Sequence, residues 1–288
     1  MNSYLLTQQI DHINQQESVN SLEEGKVLFF PEYYFSDMEA SLMSEAILDG
    51  SRKNISYDPQ RKTINAYKKE VSGLDIKLKQ MMHGYADFAH QLIRVTLPSY
   101  IPHLKWGRTS FRPAQISGRA SSKRKDDTRL HVDSFSASPV HGLRILRVFC
   151  NVNPHNEPRV WSLGEPFPQV LERFAPQIIS YSKFRAKILQ WVKTTKTLRS
   201  AYDHYMLHLH DTMKLDDVYQ AEVSKVRVDF PAQSTWIVFT DHVSHAALSG
   251  QHLLEQTFYL PVDMMANPEY SPLRQWQKIR SEVRTVVA

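Results

Sequence analysis

The sequence has little cysteine, little glycine and no long apolar run, and each scarcity excludes a class of protein. It contains one cysteine, Cys150, among 288 residues, so neither an internal disulfide nor a cysteine-rich zinc module can form. Nine glycines are too few for a collagen-like or low-complexity chain. Apolar runs such as residues 236–239 are far too short to span a bilayer. Residues 1–20 lack the apolar core of a signal peptide, so we expect a protein of the cytoplasm.

The composition is that of a globular protein with one unevenly charged segment. Hydrophobic residues make up 42% of the chain and charged residues 23%, which excludes wholesale disorder. The formal net charge is +5, yet residues 105–129 alone hold eight Lys or Arg and two Asp, a net +6. The rest of the chain therefore sums to −1, which is 5 minus 6. Such a concentrated positive charge favours an anionic partner.

The order of the apolar patterns predicts an α+β protein with a double-stranded β-helix, or jelly-roll, core. Residues 145–153 give the clearest strand, with Arg147 and Phe149 on a face too polar for a dry core. We expect a single domain with a helical N-terminal layer over 1–100, a β core over 101–167 and 223–262, a helical insertion over 168–222 and a C-terminal helix over 263–288.

Local signals add detail to the N-terminal layer. Sequences that fit capping boxes at Ser36 and Ser72 predict a helix after each serine. Residues 51–70 are polar and predict a loop between those two helices. The apolar positions that follow Ser72 recur at helical spacing up to Pro98, so the second helix is the longer one.

A His-x-Asp triplet opens the first β block and points to metal chemistry. His131 and Asp133 project to the same side of an extended chain, so an imidazole and a carboxylate can share one ion. His245, in the second β block, is the predicted third ligand, and His242 lies near enough to compete with it. Two histidines and one carboxylate on one face leave three positions open, as non-haem Fe(II) oxygenases require.

An oxygenase that uses 2-oxoglutarate also needs a cation for the distal carboxylate of that co-substrate. The strand after His245 spans residues 254–260 and holds neither Arg nor Lys. The cation is therefore expected on the polar face of the strand after the His-x-Asp triplet, where a purely structural ion pair is the alternative. The predicted co-substrate contact is Arg147, with Arg144 in reserve and Thr257 or Gln256 as a second contact.

Several short motifs in the β blocks are much more specific than His-x-Asp. They are residues 129–135 (RLHVDSF), 142–149 (GLRILRVF), 153–154 (NP), 157–161 (EPRVW), 164–167 (GEPF), 244–247 (SHAA) and 249–251 (SGQ). In these motifs, between Thr109 and Pro261, the chain resembles the Kdo hydroxylases, dioxygenases that act on 3-deoxy-D-manno-oct-2-ulosonic acid (Kdo) in lipopolysaccharide. The resemblance implies that His131, Asp133 and His245 are the iron ligands.

The same resemblance implies a reaction and its participants. The reaction is hydroxylation at C3 of the outer Kdo sugar of Kdo-lipid A, which gives the Ko sugar. The implied cofactors are Fe(II), 2-oxoglutarate as co-substrate, and O2. The implied partner is Kdo-lipid A or the lipopolysaccharide core, met at the cytoplasmic face of the inner membrane, and no nucleic-acid partner is expected.

That substrate carries carboxylates and lipid A phosphates, and these negative charges fit the independently recognised basic segment. Arginine and lysine bind such anions through charge-assisted hydrogen bonds. For any one residue of the segment, a solvated basic loop is the alternative. The predicted substrate-binding residues are Arg112, Arg119, Lys123, Arg124, Lys125, Arg129 and Arg159.

Two non-catalytic functions are the rival hypotheses. A basic patch beside Trp106 and Phe111 would suit a nucleic-acid binder, but it leaves the His-Asp-His pattern unexplained. A lipopolysaccharide-binding module with a dead metal site is disfavoured by the intact pattern. The C-terminal stretch is amphipathic around Trp276, and we favour packing on the β core over contact with an anionic membrane.

Overall fold

The structure, a computed structural model, describes residues 4–50, 52–118, 121–192, 194–281 and 283. Within these residues the strands are β1 Leu5–Thr7, β2 Val27–Phe30, β3 Ile55–Asp58, β4 Thr63–Asn65, β5 Lys105–Arg112, β6 Arg144–Asn151, β7 Arg159–Leu163, β8 Val226–Phe230, β9 Ser234–Phe239, β10 His245–Ser249 and β11 Leu253–Leu260. The α-helices are α1 Gln15–Glu23, α2 Leu74–Thr96, α3 Phe167–Phe174, α4 Lys183–Trp191, α5 Ala201–Leu215, α6 Asp217–Glu222 and α7 Pro272–Ile279.

The strands form two sheets that face each other, as in a jelly roll. The large sheet has eight strands in the order β1-β2-β9-β6-β11-β5-β3-β4, and the small sheet has the order β10-β7-β8. At the centre of the large sheet, β6 pairs antiparallel with both β9 and β11. The predicted fold class, an α+β protein with a jelly-roll core, is confirmed.

Aromatic rings fill the space between the two sheets. Phe149 and Trp236, from the large sheet, stack with ring centroids 5.4 Å apart. Trp161 and Phe230, from the small sheet, meet them edge to face or stacked at 4.0–5.6 Å. Such rings each bury a large apolar area, so this cluster holds the sheets together at one end of the space. The other end remains open and contains the candidate site.

Helices cover the outer face of the large sheet. The apolar side of α2 packs there, and the hydroxyl of Tyr85 donates to the carbonyl of Val148 at 2.8 Å. Helices α3, α5 and α7 pack into the main core, where Trp276 is buried and stacks on Tyr205 at 4.9 Å. The favoured interpretation of the C-terminal stretch, packing rather than membrane contact, agrees with this burial of Trp276.

The N-terminal layer is not helical throughout, which corrects the expectation for residues 1–100. Strands β1 and β2 extend the large sheet beyond β9, and the hairpin β3–β4 extends it beyond β5. The hairpin, residues 55–65, lies within the stretch 51–70, for which a loop was predicted. Its alternation of Ile55 and Tyr57 with polar residues is only four residues long, and its stability comes from pairing with β5, a partner about 50 residues away.

Of the other predicted helices, one is absent and one is shorter than expected. After Ser36 the chain makes only two short 3-10 turns, Ala40–Leu42 and Glu45–Ile47, instead of an α-helix. The C-terminal helix covers Pro272–Ile279 rather than all of 263–288, since residues 263–271 form turns. The end of that predicted helix, residues 282 and 284–288, lies outside the described residues.

Candidate metal centre

Three side chains that are remote in sequence meet at the open end of the space between the sheets. His131, Asp133 and His245 each offer a ligand atom, and these atoms lie within 4.8 Å of one another. Both histidines are buried, and Asp133 is half-buried. The structure therefore brings together the three residues that the sequence singled out for one metal ion.

Backbone pairing explains why the two imidazoles are adjacent. His131 forms a bridge with His245 at the start of β10, with reciprocal N–H···O bonds of 3.0 and 2.9 Å. Directly opposed residues in such a pair project to the same side. The ring centroids are consequently 4.7 Å apart. His245 is held from its other side by Trp161, whose ring stacks on it at 5.0 Å.

Asp133 joins the two histidines because the chain stays extended after His131. The Asp133 amide donates to the carbonyl of Thr240 at 2.7 Å, which continues the strand-like pairing. Its carboxylate then projects to the same side as the His131 ring, with 3.6 Å between Oδ1 and Nε2. The i, i+2 spacing that the sequence showed is thus converted into a shared ligand site.

Hydrogen bonds fix the imidazoles in the tautomer that a metal needs. The Nδ1 of His131 lies 2.8 Å from the carbonyl of Arg129, and the Nδ1 of His245 lies 2.8 Å from the carbonyl of Val243. Because a carbonyl only accepts, each Nδ1 must carry the proton. The Nε2 lone pairs are therefore free, which is the usual arrangement of metal-binding histidines.

The local charges also favour the forms that bind metal. Burial would raise the pKa of Asp133, but Arg147 and the two histidines more than offset this and hold it well below its usual range. Burial and the neighbouring His131 lower the pKa of His245 to about 4. At neutral pH the aspartate is ionised and His245 is neutral, as metal coordination requires.

An unsatisfied oxygen supports the same conclusion. Asp133 Oδ2 is buried and has no hydrogen-bond partner among the described residues. Arg147 Nη1 lies 3.2 Å from it as an ion-pair contact, without hydrogen-bond geometry. A buried carboxylate oxygen in this state suits a cation ligand. Two imidazole nitrogens and one carboxylate oxygen beside a cavity fit Fe(II) with open positions.

Guanidinium and carboxylate groups alternate along the wall of the cavity. Arg147 Nη1 is 3.2 Å from Asp133 and 3.2 Å from Glu255, and Arg112 Nη2 is 2.9 Å from the other Glu255 oxygen. Burial alone would raise the pKa of Glu255, but Arg147 and Arg112 lower it, so the row remains charged. Glu255 is not among the predicted site residues, although its place two residues before Thr257 puts it on the same face of β11.

The cavity beside the three ligands has a volume of about 420 Å³. Three guanidinium groups line it, those of Arg112, Arg147 and Arg159, together with the rings of Phe149 and Trp161. Arg159 Nη1 donates to the carbonyl of Gly250 at 2.8 Å. This combination of cations and flat apolar walls can hold small anionic molecules close to the metal position.

A larger groove continues from this cavity. Its volume is about 1630 Å³, and Arg112, Arg147 and Glu255 line both spaces. Thr257 and residues 134–138, the loop after the triplet, form part of its wall. A bulky substrate can therefore lie in the groove while one of its ends reaches the metal.

Two of the predicted co-substrate contacts lie elsewhere, and these expectations are wrong. Arg144 is three residues from Arg147 and lies on the opposite face of β6, where it is fully buried and paired with Asp241 at 2.8 Å. Gln256 also projects away from the cavity and accepts a hydrogen bond from Thr109 at 2.6 Å. The alternation of side chains along each strand accounts for both results.

His242, the competing third ligand, is also remote from the metal position. Its ring is buried beside Phe167, with centroids 5.3 Å apart, and it does not belong to the cluster of possible ligands in the described chain. The amide groups of His242 and Val243 both bond to the Phe239 carbonyl, so the chain turns sharply between β9 and β10. That turn separates His242 from the face that carries His245.

Three cations of the basic segment face two helices rather than the cavity. Lys123 and Arg129 both pair with Asp217 of α6, and Arg124 pairs with Asp211 of α5 at 3.2 Å. Of the predicted substrate-binding residues, Arg112 and Arg159 line the cavity, and Arg119 lies outside the described residues. Lys125 is exposed, and its carbonyl accepts from Lys53 at 2.9 Å.

Comparison with known proteins agrees with this site. A model of the family described as 3-deoxy-D-manno-oct-2-ulosonic acid (Kdo) hydroxylase matches residues 6–282. No protein in the curated set of sequences is similar enough to count as a match.

Solved structures give close matches along nearly the whole chain. The cobalt(II) complex of the Kdo hydroxylase KdoO, a non-haem Fe(II) α-ketoglutarate-dependent dioxygenase, is 43% identical, with 96% of this chain and 95% of that chain covered and a TM-score of 0.92. Its apo structure is 42% identical, with 98% of each chain covered and a TM-score of 0.92. The complex with α-ketoglutarate (2-oxoglutarate) and Fe(III) is 43% identical over 96% and 95%, with a TM-score of 0.90. Together with the assembled ligand set, these matches establish that the chain belongs to the Kdo hydroxylase family of non-haem Fe(II)/2-oxoglutarate dioxygenases.

Proposed function

We propose that this chain hydroxylates C3 of the outer Kdo sugar of Kdo-lipid A, giving Ko, with Fe(II), 2-oxoglutarate and O2. The observation that carries the proposal is the convergence of His131, Asp133 and His245 at the inner end of an arginine-lined cavity. These three residues are the proposed iron ligands. Iron bound there supplies the redox chemistry that couples O2 reduction and decarboxylation of 2-oxoglutarate to hydroxylation.

The arginines of the cavity wall account for two anionic ligands. Arg147 lies beside Asp133, so we assign it, with Thr257, to the distal carboxylate of 2-oxoglutarate. Arg112 and Arg159 line the same cavity and are assigned to the Kdo carboxylate. Planar guanidinium groups bind carboxylates through two parallel hydrogen bonds, which fixes orientation as well as affinity.

The groove suits the remainder of the substrate. Its wall includes Arg61, Arg108 and Lys196, which line the groove but not the smaller cavity beside the metal ligands. Phosphate groups on lipid A would find cations at these positions. In this arrangement the sugar reaches the metal while the acylated part stays outside the cavity.

The proposed location is the cytoplasmic face of the inner membrane, in peripheral contact. Nowhere in the described part of the chain is there a helix with the length and apolar character that crossing a bilayer requires. The proposed contact rests on the substrate, because lipid A is anchored in a membrane and would be met at the membrane surface.

The test is incubation of the purified protein with Fe(II), 2-oxoglutarate and Kdo-lipid A under air. We expect one added oxygen atom by mass spectrometry, assigned to C3 of the outer Kdo by NMR, and an equal yield of succinate. Omission of iron or of 2-oxoglutarate should abolish both products. Succinate formed without a hydroxylated sugar, or oxygen added at another carbon, would contradict the proposal.

A further inference from the structure

Helix α4 presents an apolar face to solvent. Phe184, Ile188 and Trp191 are 74%, 43% and 84% exposed. Their spacing of i, i+4 and i+7 places them on one side of the helix. Large apolar side chains grouped in this way are unusual on a surface without a binding role, whereas single ones are common.

Cations border this face on both sides. Lys183, Arg185 and Lys187 are exposed and flank the apolar stripe. The opposite side of the helix packs on the protein through Ala186, which is buried, and Leu189, which is half-buried. An apolar stripe with an aromatic pair, flanked by Lys and Arg, is the composition of helices that lie in the surface of an anionic bilayer.

The helix is fixed to the rim of the groove. The Thr194 amide donates to the carbonyl of Leu189 at 2.9 Å, and the Lys196 amide donates to the carbonyl of Ala137 at 3.0 Å. Lys196 and Ala137 both line the groove. Because Lys196 is only five positions after Trp191, the helix end lies within about 20 Å of the groove.

We propose that α4 binds an anionic lipid bilayer, with Phe184, Ile188 and Trp191 embedded in it, and so holds the groove at the membrane surface. The charges identify the occupant, because anionic headgroups would neutralise the flanking cations. A second copy of the same face would instead bring like charges together. The purpose of the contact rests on the proposed function, since lipid A is anchored in a membrane, but the binding itself is measurable without catalysis.

The first test is sedimentation of the full-length protein with vesicles. We expect binding to vesicles of phosphatidylglycerol and phosphatidylethanolamine, and much weaker binding to pure phosphatidylcholine. The double substitution Phe184→Ser and Trp191→Ser should weaken binding at least about tenfold, given the apolar area that two aromatic side chains bury. Ile76→Ser, at an equally exposed position on α2, is the matched control and should bind as the wild type does.

Tryptophan fluorescence gives a second readout at the proposed contact. Trp191 is highly exposed, Trp106 is half-buried, and the remaining three tryptophans are buried. Transfer of Trp191 into a bilayer should shift the emission to shorter wavelength. Trp191→Phe should lose most of this shift and keep most of the binding.

The outcomes separate this proposal from its alternatives. Undiminished vesicle binding by the double variant would overturn it, as would equal affinity for neutral and anionic vesicles. If the substitutions changed self-association in sedimentation velocity and left vesicle binding intact, the face would be a contact between copies and the proposal would be wrong.

Activity distinguishes this proposal from the proposed function. The double variant should hydroxylate detergent-dispersed Kdo-lipid A at the wild-type rate and vesicle-embedded Kdo-lipid A several-fold more slowly. Equal rates on both substrates would contradict the role of α4. A wild-type protein that binds vesicles but hydroxylates neither substrate would contradict the proposed function alone.

Discussion

Strand β6 carries two buried arginines, three residues apart, on opposite faces of the large sheet. On the core face, Arg144 is fully buried, pairs with Asp241 at 2.8 Å and lies over the Phe239 ring at 3.8 Å. On the cavity face, Arg147 lies 3.2 Å from both Asp133 and Glu255 and borders open space. Both faces therefore pair an arginine with an aspartate. The two pairs differ in the distance between their charged groups and in whether a ligand can reach them.

The carboxylates show what this difference means. Burial raises the pKa of Asp241, and Arg144 does not offset it fully. Burial raises the pKa of Asp133 as well, yet Arg147 and the histidines more than offset this and hold it well below the usual range. The core-face pair is therefore a dry structural contact, whereas the cavity face keeps an ionised carboxylate ready for a cation.

The sharpest test of this contrast is to remove each aspartate. Asp133→Ala should lower turnover by at least about a hundredfold, since even the partners of metal ligands contribute 10–100-fold. It should also abolish iron binding, measured by metal content after dialysis, while the fold survives. Asp241→Ala should instead destabilise the fold, and the fraction of the protein that remains folded should still bind iron. An active Asp133→Ala enzyme would remove the distinction.

Arg144→Ala should cost more stability than Arg147→Ala. The first substitution leaves Asp241 buried without its cation, at a cost of about 3 kcal/mol. The second leaves Asp133 and Glu255 beside a cavity that water can enter, and Glu255 keeps its ion pair with Arg112. Urea unfolding of both apo-proteins measures the difference, and equal costs would contradict it.

Arg147→Lys is a conservative substitution that tests the cavity face. Lysine keeps the charge but loses the two parallel hydrogen bonds that a guanidinium gives a carboxylate. We expect the KM for 2-oxoglutarate to rise about tenfold, because the substitution removes one charge-assisted hydrogen bond. Arg144→Lys is the matched control, and its KM should stay at the wild-type value.

Alternation along β6 was visible in the sequence, and it correctly grouped Arg147 with Phe149 on a wet face. The family and the enzyme class predicted from the motifs are confirmed, as is the fold class predicted from the order of the apolar patterns. The same alternation already argued against Arg144 as a reserve contact, because positions 144 and 147 cannot share a face of one regular strand.

Other features were invisible because they depend on pairing between remote residues. Glu255 is important through contacts with Arg112 and Arg147, which lie on two neighbouring strands. Strands β1–β4 are three or four residues long and gain their stability from the sheet edges that they extend. The charge run at 123–129 suggested a free basic surface, yet Asp211 and Asp217 from a helical segment 90 residues later pair with much of it.

The smallest expected effect lies on the core face, at His242. Both of its ring nitrogens are buried and find no hydrogen-bond partner within the described ranges. Replacement by leucine, which has a similar size and no polar atoms, should raise stability by about 1 kcal/mol at neutral pH. Iron binding and turnover should not change, whereas His245→Ala should lose both. The opposite pattern would make His242 the third ligand.

His242→Leu should also flatten the dependence of stability on pH. Burial and the nearby Arg144 lower the pKa of His242 well below its usual range, so the folded state stays unprotonated where the unfolded state, with a pKa near 6.5, takes up a proton. The unfolded state then binds more protons, and wild-type stability falls as the pH drops below about 6.5. By pH 5.5 this contribution is about 1 kcal/mol, and the variant lacks it. Urea unfolding of the wild-type and His242→Leu apo-proteins at pH 7.5 and 5.5 measures the difference, because His245 titrates alike in both. An equal loss of stability in the two proteins would show that His242 is not kept neutral by burial in the core.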